Sequence, residues 1–505
     1  MARQPNFLIL MADQLTAGAL PAYGNRVART PHLDALAGAG VVFRSAYCNS
    51  PLCAPSRFSF MAGRLPSAIG AYDNAAEFAA HVPTFAHYLR AAGYHTILSG
   101  KMHFCGPDQL HGFEDRLTTD IYPADFGWTP DWLNFEARPS WYHNMDSVTQ
   151  AGPCVRTNQL DFDDEVVFRA RRQLFDSARG SDTRPFCMVV SLTHPHDPFA
   201  IPQEYWDRYR DEDIDMPRVR PASGEPDPHS RRLRHVIGLG AQPVTAAQVR
   251  AARHAYYGSV AYVDDQFGAL LKTLTDTRLA ADTVVIVLAD HGEMLGERGL
   301  WYKMSFFEGA CRIPLIVHAP HRFAARTVTQ SVSLVDVLPT LVELGTTGAA
   351  PRYVTGLDGR SLVPHLEGRG GHDEVIGEYL AEGAIAPLVM IRRGCTKFIH
   401  TPADPDQLYD LGEDPDEVHN LAATEPAGAA AFRAEVSRRW DLESLRAQVI
   451  ASQRQRHLVA QALAIGRQTA WDHQPRFPAS EQYVRNTKTL DELERGARFP
   501  RVTQE

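Results

Sequence analysis

Cysteine is scarce and unpatterned in this chain. The 505 residues hold seven cysteines, at 48, 53, 105, 154, 187, 311 and 395, with no C-x-x-C pair. That argues against a disulfide framework or a structural zinc site and suits a reducing compartment. Positive charge is also short. Lys and Arg number 51 against 60 Asp and Glu, a net charge of −9, which argues against a nucleic-acid partner. No apolar run is long enough to span a bilayer. The opening run, residues 6–12, is too short for a secretory signal and lacks its small-residue cleavage pattern. The expectation is a cytoplasmic enzyme with no membrane partner. Internal repeats are absent as well. What remains is ordinary globular composition, 44% hydrophobic and 22% charged, enough for a large core and, on length, for more than one domain.

Short β-rich apolar runs alternate with helical patterns over the first two-thirds of the chain. Strands are predicted at 6–12, 41–46, 94–99, 186–192 and 283–289. Helical patterns lie between them, as at 30–37 and at 256–271, where Tyr256, Val260, Val263, Phe267 and Leu271 mark an apolar stripe. Such alternation predicts an α/β fold with a large, mostly parallel sheet flanked by helices. Residues 211–249, rich in Pro, Arg and Asp, read as a surface excursion. Short antiparallel strands at 374–379, 386–392 and 397–400, a turn at 408–417 and helical patterns over 428–464 predict a smaller C-terminal α+β unit. The expected division is a catalytic domain at 1–371, a subdomain at 372–470, and an extended tail at 471–505. With Trp471, Phe477, Tyr483 and Phe499 as its anchors, the tail is expected to pack on the body or on a neighbouring subunit.

Active sites of open parallel sheets lie beyond the carboxyl ends of the strands. Asp13, Lys101, His196 and Asp290 fall where strands should end. In Cys53-Ala54-Pro55-Ser56-Arg57, proline suits a first helical turn, Ser56 suits a helix start, and Arg57 sets a cation one turn from the sulfur. A helix N-terminus and a guanidinium together favour a bound anion. Asp13-Gln14 and Asp290-His291 offer two carboxylates with polar neighbours, a hard donor set that suits calcium or magnesium better than zinc. Helix capping is the other use of each aspartate. Lys101, His103, His196 and Lys303 would supply cations to a sulfuryl or phosphoryl group. Singly, each is an ordinary polar residue; their recurrence at strand ends carries the argument.

The string at Cys53, with Gly63-Arg64 after it, resembles the C-x-P-S-R signature of type I sulfatases in the alkaline phosphatase superfamily. The resemblance runs through residues 30–34, 334–340, 356–362 and 408–411. Within that family the chain looks most like the choline sulfatases, through residues 72–78, 100–104, 106–114, 118–128 and 142–145. Gln14 and His291 depart from the Asp-Asp and Asp-Asn pairs of many arylsulfatases, a departure shared by choline sulfatases and phosphonate monoester hydrolases. The resemblance implies that Cys53 is oxidised to formylglycine by a formylglycine-generating enzyme. It implies one divalent metal, Ca2+ ahead of Mn2+ or Mg2+, on Asp13, Gln14, residue 53, Asp290 and His291. Arg57, Lys101 and His103 would then offset charge on the sulfuryl oxygens, His196 and Lys303 would protonate the departing alcohol, and His103 would serve as base in the second step. The implied substrate is the small sulfate ester choline-O-sulfate. A quaternary ammonium is held by aromatic faces and carboxylates. Trp128 is the aromatic candidate, Asn74, His143 and Asn144 its polar neighbours, and Glu378 or Glu382 the counter-charge. Asp491 is a further carboxylate, offered from the tail to a neighbouring subunit of a homotetramer. Two other readings are a phosphonate monoester or phosphodiester hydrolase or arylsulfatase on the same scaffold, and a catalytically silent binding protein. The intact set of polar residues argues against silence.

Overall fold

A computed structural model describes residues 4–219, 226–240, 244–346, 352–467, 470–485 and 488–500. The five predicted runs form the strands Asn6–Ala12, Val41–Tyr47, His95–Gly100, Phe186–Leu192 and Thr283–Ala289. Phe7 to Ala12 and Phe186 to Leu192 are buried throughout, the continuous apolar pattern that a sheet covered on both faces requires. Asn6–Ala12 lies in the middle, parallel to both Phe186–Leu192 and Thr283–Ala289. His95–Gly100 extends the sheet on one side, also in parallel. On the other side Leu315–His318 runs antiparallel between Thr283–Ala289 and Val41–Tyr47. Arg326–Ser333 then returns to parallel pairing at the edge. The fold is α/β with a large, mostly parallel sheet.

Register sets the site. Ala12 lies opposite both Leu192 and Ala289, and Gly100 opposite Ser191. The residues that follow, Asp13, Thr193, Asp290 and Lys101, therefore emerge side by side at one edge. Gly100 is needed for this. Its φ is +106°, and a Cβ there would sit 2.1 Å from the Ser191 carbonyl oxygen, a contact no side chain tolerates. The predicted stripe at 256–271 belongs to a longer helix, Ala246–Asp276, opened by a Thr245/Gln248 capping box. From it the Tyr256 hydroxyl donates to the Gln14 carbonyl at 2.7 Å.

Residues 211–249 are more than a surface excursion. They include the helix Pro228–Val236, which buries His229, Leu233 and Val236, while 220–225 and 241–243 lie outside the described residues. The C-terminal unit holds a four-stranded antiparallel sheet, Glu374–Tyr379, Leu388–Arg393, Thr396–Thr401 and Asp404–Asp410. Residues 408–410, expected in a turn, finish the last of these strands. The helical pattern that follows divides into Pro426–Arg439 and Leu442–Leu463, because Asp441 accepts from Ser444 N–H and starts the second helix. One face of this sheet has a small core of its own around Val389, Ile391 and Phe398. Val375, Leu388 and Met390 join the main core, so the two units are welded together. In the tail, Trp471 packs edge-on against Phe126, and Phe477 and Tyr483 lie under Arg169 and Arg172. The tail thus meets its own body; residues 501–505 lie outside the described residues. No helix among the described residues is long and apolar enough to cross a membrane.

Candidate active site

Cys53 is the first residue of the helix Cys53–Ala62, every residue of which is buried. Gly63 ends this helix in a left-handed conformation, φ +64°. Ser56 lies inside the helix rather than at its start, and its hydroxyl donates to the Asp290 carbonyl. The helix points its N-terminus at the strand ends. There Cys53 Sγ lies 3.2 Å from His291 Nε2, 3.4 Å from Lys101 Nζ, 3.5 Å from Lys303 Nζ and 3.9 Å from Asp13 Oδ1. Burial alone would raise the thiol. Lys101, Lys303 and His291 outweigh it and hold Cys53 well below its ordinary value.

Asp13, Cys53, Asp290 and His291 are all buried, and their ligand atoms lie within 4.8 Å of one another. The donor set, two carboxylates and an imidazole beside a reactive residue, fits a divalent cation. Lys101 Nζ forms a close ion pair with Asp13. Arg57 donates from Nε to Asp290 Oδ2 at 2.8 Å and from Nη1 to the Lys101 carbonyl at 2.6 Å and Ser191 Oγ at 2.9 Å. Arg57 therefore clamps the aspartates from behind and does not line the cavity in front of Cys53. Gln14 is fixed at both ends. Its amide nitrogen donates to Glu293 at 2.5 Å, and its oxygen accepts from Lys303 Nζ at 2.7 Å. That orientation turns the oxygen, the only end able to meet a cation, toward the reaction centre. Lys303 Nζ also lies 2.8 Å from His196 Nε2, and His196 Nδ1 lies 2.7 Å from the Asp197 carbonyl. A lysine at Nε2 makes that nitrogen the acceptor, so the imidazole proton sits on Nδ1. His103 stands close to Cys53, and neither of its buried ring nitrogens closes a hydrogen bond among the described residues. Burial lowers its pKa, which keeps it a neutral acceptor.

The cavity in front of Cys53 is lined by Cys53, Asn74, Tyr122, Trp128, Trp141, Tyr142, His143, His196, Lys303 and Glu382. Trp128 stacks on Trp141 and tilts against Tyr122, and Lys101 Nζ sits 4.3 Å from the Tyr122 ring. Asn74 Oδ1 takes the Ala54 N–H at 3.0 Å. His143 stacks on Tyr302 and faces Asp197. Glu382 is 4% exposed, and its Oε2 has no hydrogen-bond partner. Burial pushes its carboxyl up to about 7.

Three expected substrate residues stand elsewhere. Glu378 is committed to the Ser67 N–H and hydroxyl and to Trp440 Nε1, at 2.8, 2.7 and 2.6 Å, so Glu382 is the carboxylate of the cavity. The Asn144 side chain caps the backbone of Asp146, and the residue is exposed. Asp491 is exposed in the first turn of the helix Leu490–Ala497 and does not line the cavity of its own chain. Sequence reasoning missed Tyr122, Trp141 and Tyr142 as wall residues, and Glu293 as the holder of Gln14. The one available signal was the run of three large rings, Trp141-Tyr142-His143.

Comparisons with known proteins place the chain in a family. A "Sulfatase" family model matches residues 5–347, "Choline sulfatase enzyme C terminal" matches 447–499, and "N-sulphoglucosamine sulphohydrolase, C-terminal" matches 296–441. A choline-sulfatase of Rhizobium meliloti (strain 1021) is 47% identical over 509 residues, 99% of each chain. An arylsulfatase of Clostridium perfringens is 26% identical over 84% of this chain and 91% of its own. Among solved structures, the phosphonate monoester hydrolase of Agrobacterium radiobacter superposes with a TM-score of 0.67 at 25% identity, covering 88% of this chain and 96% of its own. Matched along two-thirds of its length by the family model and end to end by a curated relative, the chain belongs to the sulfatase family.

Proposed function

We propose that this enzyme hydrolyses choline-O-sulfate to choline and sulfate. One observation carries the choice of substrate: Glu382, whose Oε2 has no hydrogen-bond partner, shares an aromatic cavity with Cys53. A buried carboxylate that forms no ion pair among the described residues and stands among Trp128, Trp141 and Tyr142 fits a quaternary ammonium, which attracts anions and ring faces but donates no conventional N–H bond.

Asp13, Gln14, Asp290 and His291, with residue 53, would hold one divalent metal, calcium in this reading, which would polarise the sulfuryl group and ease ionisation of the attacking hydroxyl. Oxidised to formylglycine by its generating enzyme, Cys53 would supply a hydrated aldehyde with two oxygens on one carbon, one to accept the sulfuryl group and one to expel it. Lys101 and Lys303 flank that position and offset charge on the sulfuryl oxygens. As the sulfur–oxygen bond to choline breaks, Lys303, held by Gln14 and His196, delivers the proton to the alcohol oxygen. His103, with both nitrogens free, takes the proton whose loss releases sulfate. Arg57 keeps both aspartates in place throughout. A cytoplasmic location and a tetramer belong to the same reading. Seven unpaired cysteines suit a reducing compartment, and the exposed Phe477, Tyr483 and Leu490 of the tail offer surface to a second copy.

The test compares choline-O-sulfate with 3,3-dimethylbutyl sulfate, which has the same shape and the same sulfate group but no cationic charge. The expected kcat/KM ratio is at least about tenfold in favour of the cation. Equal turnover, or faster cleavage of a phosphate diester than of either sulfate, would overturn the assignment.

A further inference from the structure

The stretch that matches the choline sulfatase C terminus, 447–499, contributes no residue to the lining of the cavity. Its helix Leu442–Leu463 nevertheless touches the back of the cavity wall at several points. Arg456 is buried and donates through Nη1 and Nη2 to the two oxygens of Asp73, at 2.6 and 2.7 Å. Its Nη1 also reaches Thr129 Oγ1 at 3.1 Å. Asp73 is wholly buried and immediately precedes Asn74, which lines the cavity. Thr129 immediately follows Trp128. One turn back on the helix, Gln453 Oε1 accepts the Trp132 N–H at 3.0 Å, and Trp132 Nε1 donates to the Ala381 carbonyl at 3.0 Å. Ala381 immediately precedes Glu382. Positions 453 and 456 share one helical face. Asn74, Trp128 and Glu382 are therefore each one residue away from a group fastened to that face, Glu382 through Trp132.

We infer that this helix sets the substrate range of the enzyme from behind the wall, with Arg456 as its positioning residue. Arg456 touches no substrate atom. It acts through Asp73 and Thr129 on the cation-binding surface, so the inference rests on the reading of the cavity given above. The chemistry of the pair suits this role. A guanidinium fork bonded to both carboxylate oxygens fixes angle as well as distance, which a lysine point charge does not. A buried ion pair is a poor source of stability compared with apolar side chains of similar volume, so its placement is better matched to holding geometry. Here it fastens two wall segments, 73–75 and 128–129, that are far apart in sequence and have no strand to hold them. A wall displaced by about an ångström weakens recognition by tens of fold. The sulfuryl end of the site rests on the sheet and would move much less.

Arg456→Lys tests this with charge retained beside Asp73. Initial rates are measured on choline-O-sulfate and on ethyl sulfate, an ester too short to reach the wall. The expected result is a loss of at least about tenfold in kcat/KM for choline-O-sulfate, carried mainly by KM, with less than about threefold for ethyl sulfate. The pair Arg456→Met with Asp73→Asn removes both charges, gives the same pattern, and serves if the lysine variant fails to fold. Equal losses on the two esters would make Arg456 a general support of the Cys53 region and overturn the inference. So would the absence of any loss. Wild-type enzyme without a preference for choline-O-sulfate over ethyl sulfate would overturn the reading of the cavity itself, and this inference with it. An intact wild-type preference that Arg456→Lys leaves unmoved overturns the inference alone.

Discussion

Around Cys53 opposite charges stand side by side: Lys101 with Asp13, and Arg57 with Asp290. Across the same cavity Glu382 has no ion-pair partner among the described residues and shares the wall with the rings of Tyr122, Trp128, Trp141 and Tyr142. The first region is balanced before any substrate arrives, so charge that develops during the reaction meets fixed partners. The second region is left unbalanced, and the ligand completes it. Their supports differ too. Asp13, Lys101 and Asp290 stand on adjoining strands in fixed register, whereas Asn74, Trp128 and Glu382 stand on segments outside the strands. Changes in the first region should abolish turnover of every ester, and changes in the second should alter choice among esters.

The largest effect is expected at Cys53. Cys53→Ala removes the proposed nucleophile and should lower turnover of choline-O-sulfate and of its uncharged-head isostere alike, by more than about a thousandfold. Peptide mass spectrometry of active wild-type enzyme should show residue 53 lighter than cysteine by about 18 Da, the change from thiol to aldehyde. Active enzyme containing only cysteine at that position would break the comparison at its reactive side.

A smaller and selective effect is expected at Glu382. Glu382→Gln should raise KM for choline-O-sulfate by at least about tenfold and change that of 3,3-dimethylbutyl sulfate little, since only the first ester carries a cation for Glu382 to meet. The pH dependence gives an independent handle. Burial raises the free carboxyl to about 7, so below that pH the group is protonated and cation binding must release the proton. KM for choline-O-sulfate should therefore climb as pH falls through this range, approaching tenfold per unit. The isostere without the cation should lack the climb, and Glu382→Gln should erase it. A pH profile identical for the two esters would remove Glu382 from recognition.

The same division explains what the sequence makes legible. The strands announce themselves as apolar runs, and each delivers a polar residue at its end, so Asp13, Lys101 and Asp290 could be picked out before any coordinates. Arg57 could be picked out but not oriented. Only the packing reveals that its guanidinium faces the aspartates rather than the cavity. The antiparallel strand Leu315–His318 is not legible, because four residues give too little pattern. The wall was harder still. It gathers Asn74, Tyr122, Trp128, Trp141, Tyr142 and Glu382 from segments with no periodicity to connect them. Between Glu378 and Glu382 nothing in the chain discriminates. Four residues apart in a segment that leaves a strand after Tyr379, one turns to Ser67 and the other to the cavity.

That pair supplies the smallest predicted effect and the sharpest control. Glu378 accepts from the Ser67 N–H, the Ser67 hydroxyl and Trp440 Nε1. Three donors converge on it, and Trp440 closes the helix Pro426–Arg439. Glu378→Gln places an amide NH2 where one of these donors points, leaving a buried donor unmatched at a cost of about 1–3 kcal/mol. The expected outcome is a modest drop in Tm with the ratio of kcat/KM between choline-O-sulfate and 3,3-dimethylbutyl sulfate held within about twofold of wild type. The contrast with Glu382→Gln is then complete, one buried glutamate moving stability without selectivity and the other moving selectivity. A shifted ratio in Glu378→Gln would return Glu378 to the recognition surface and erase the boundary between supporting and binding carboxylates.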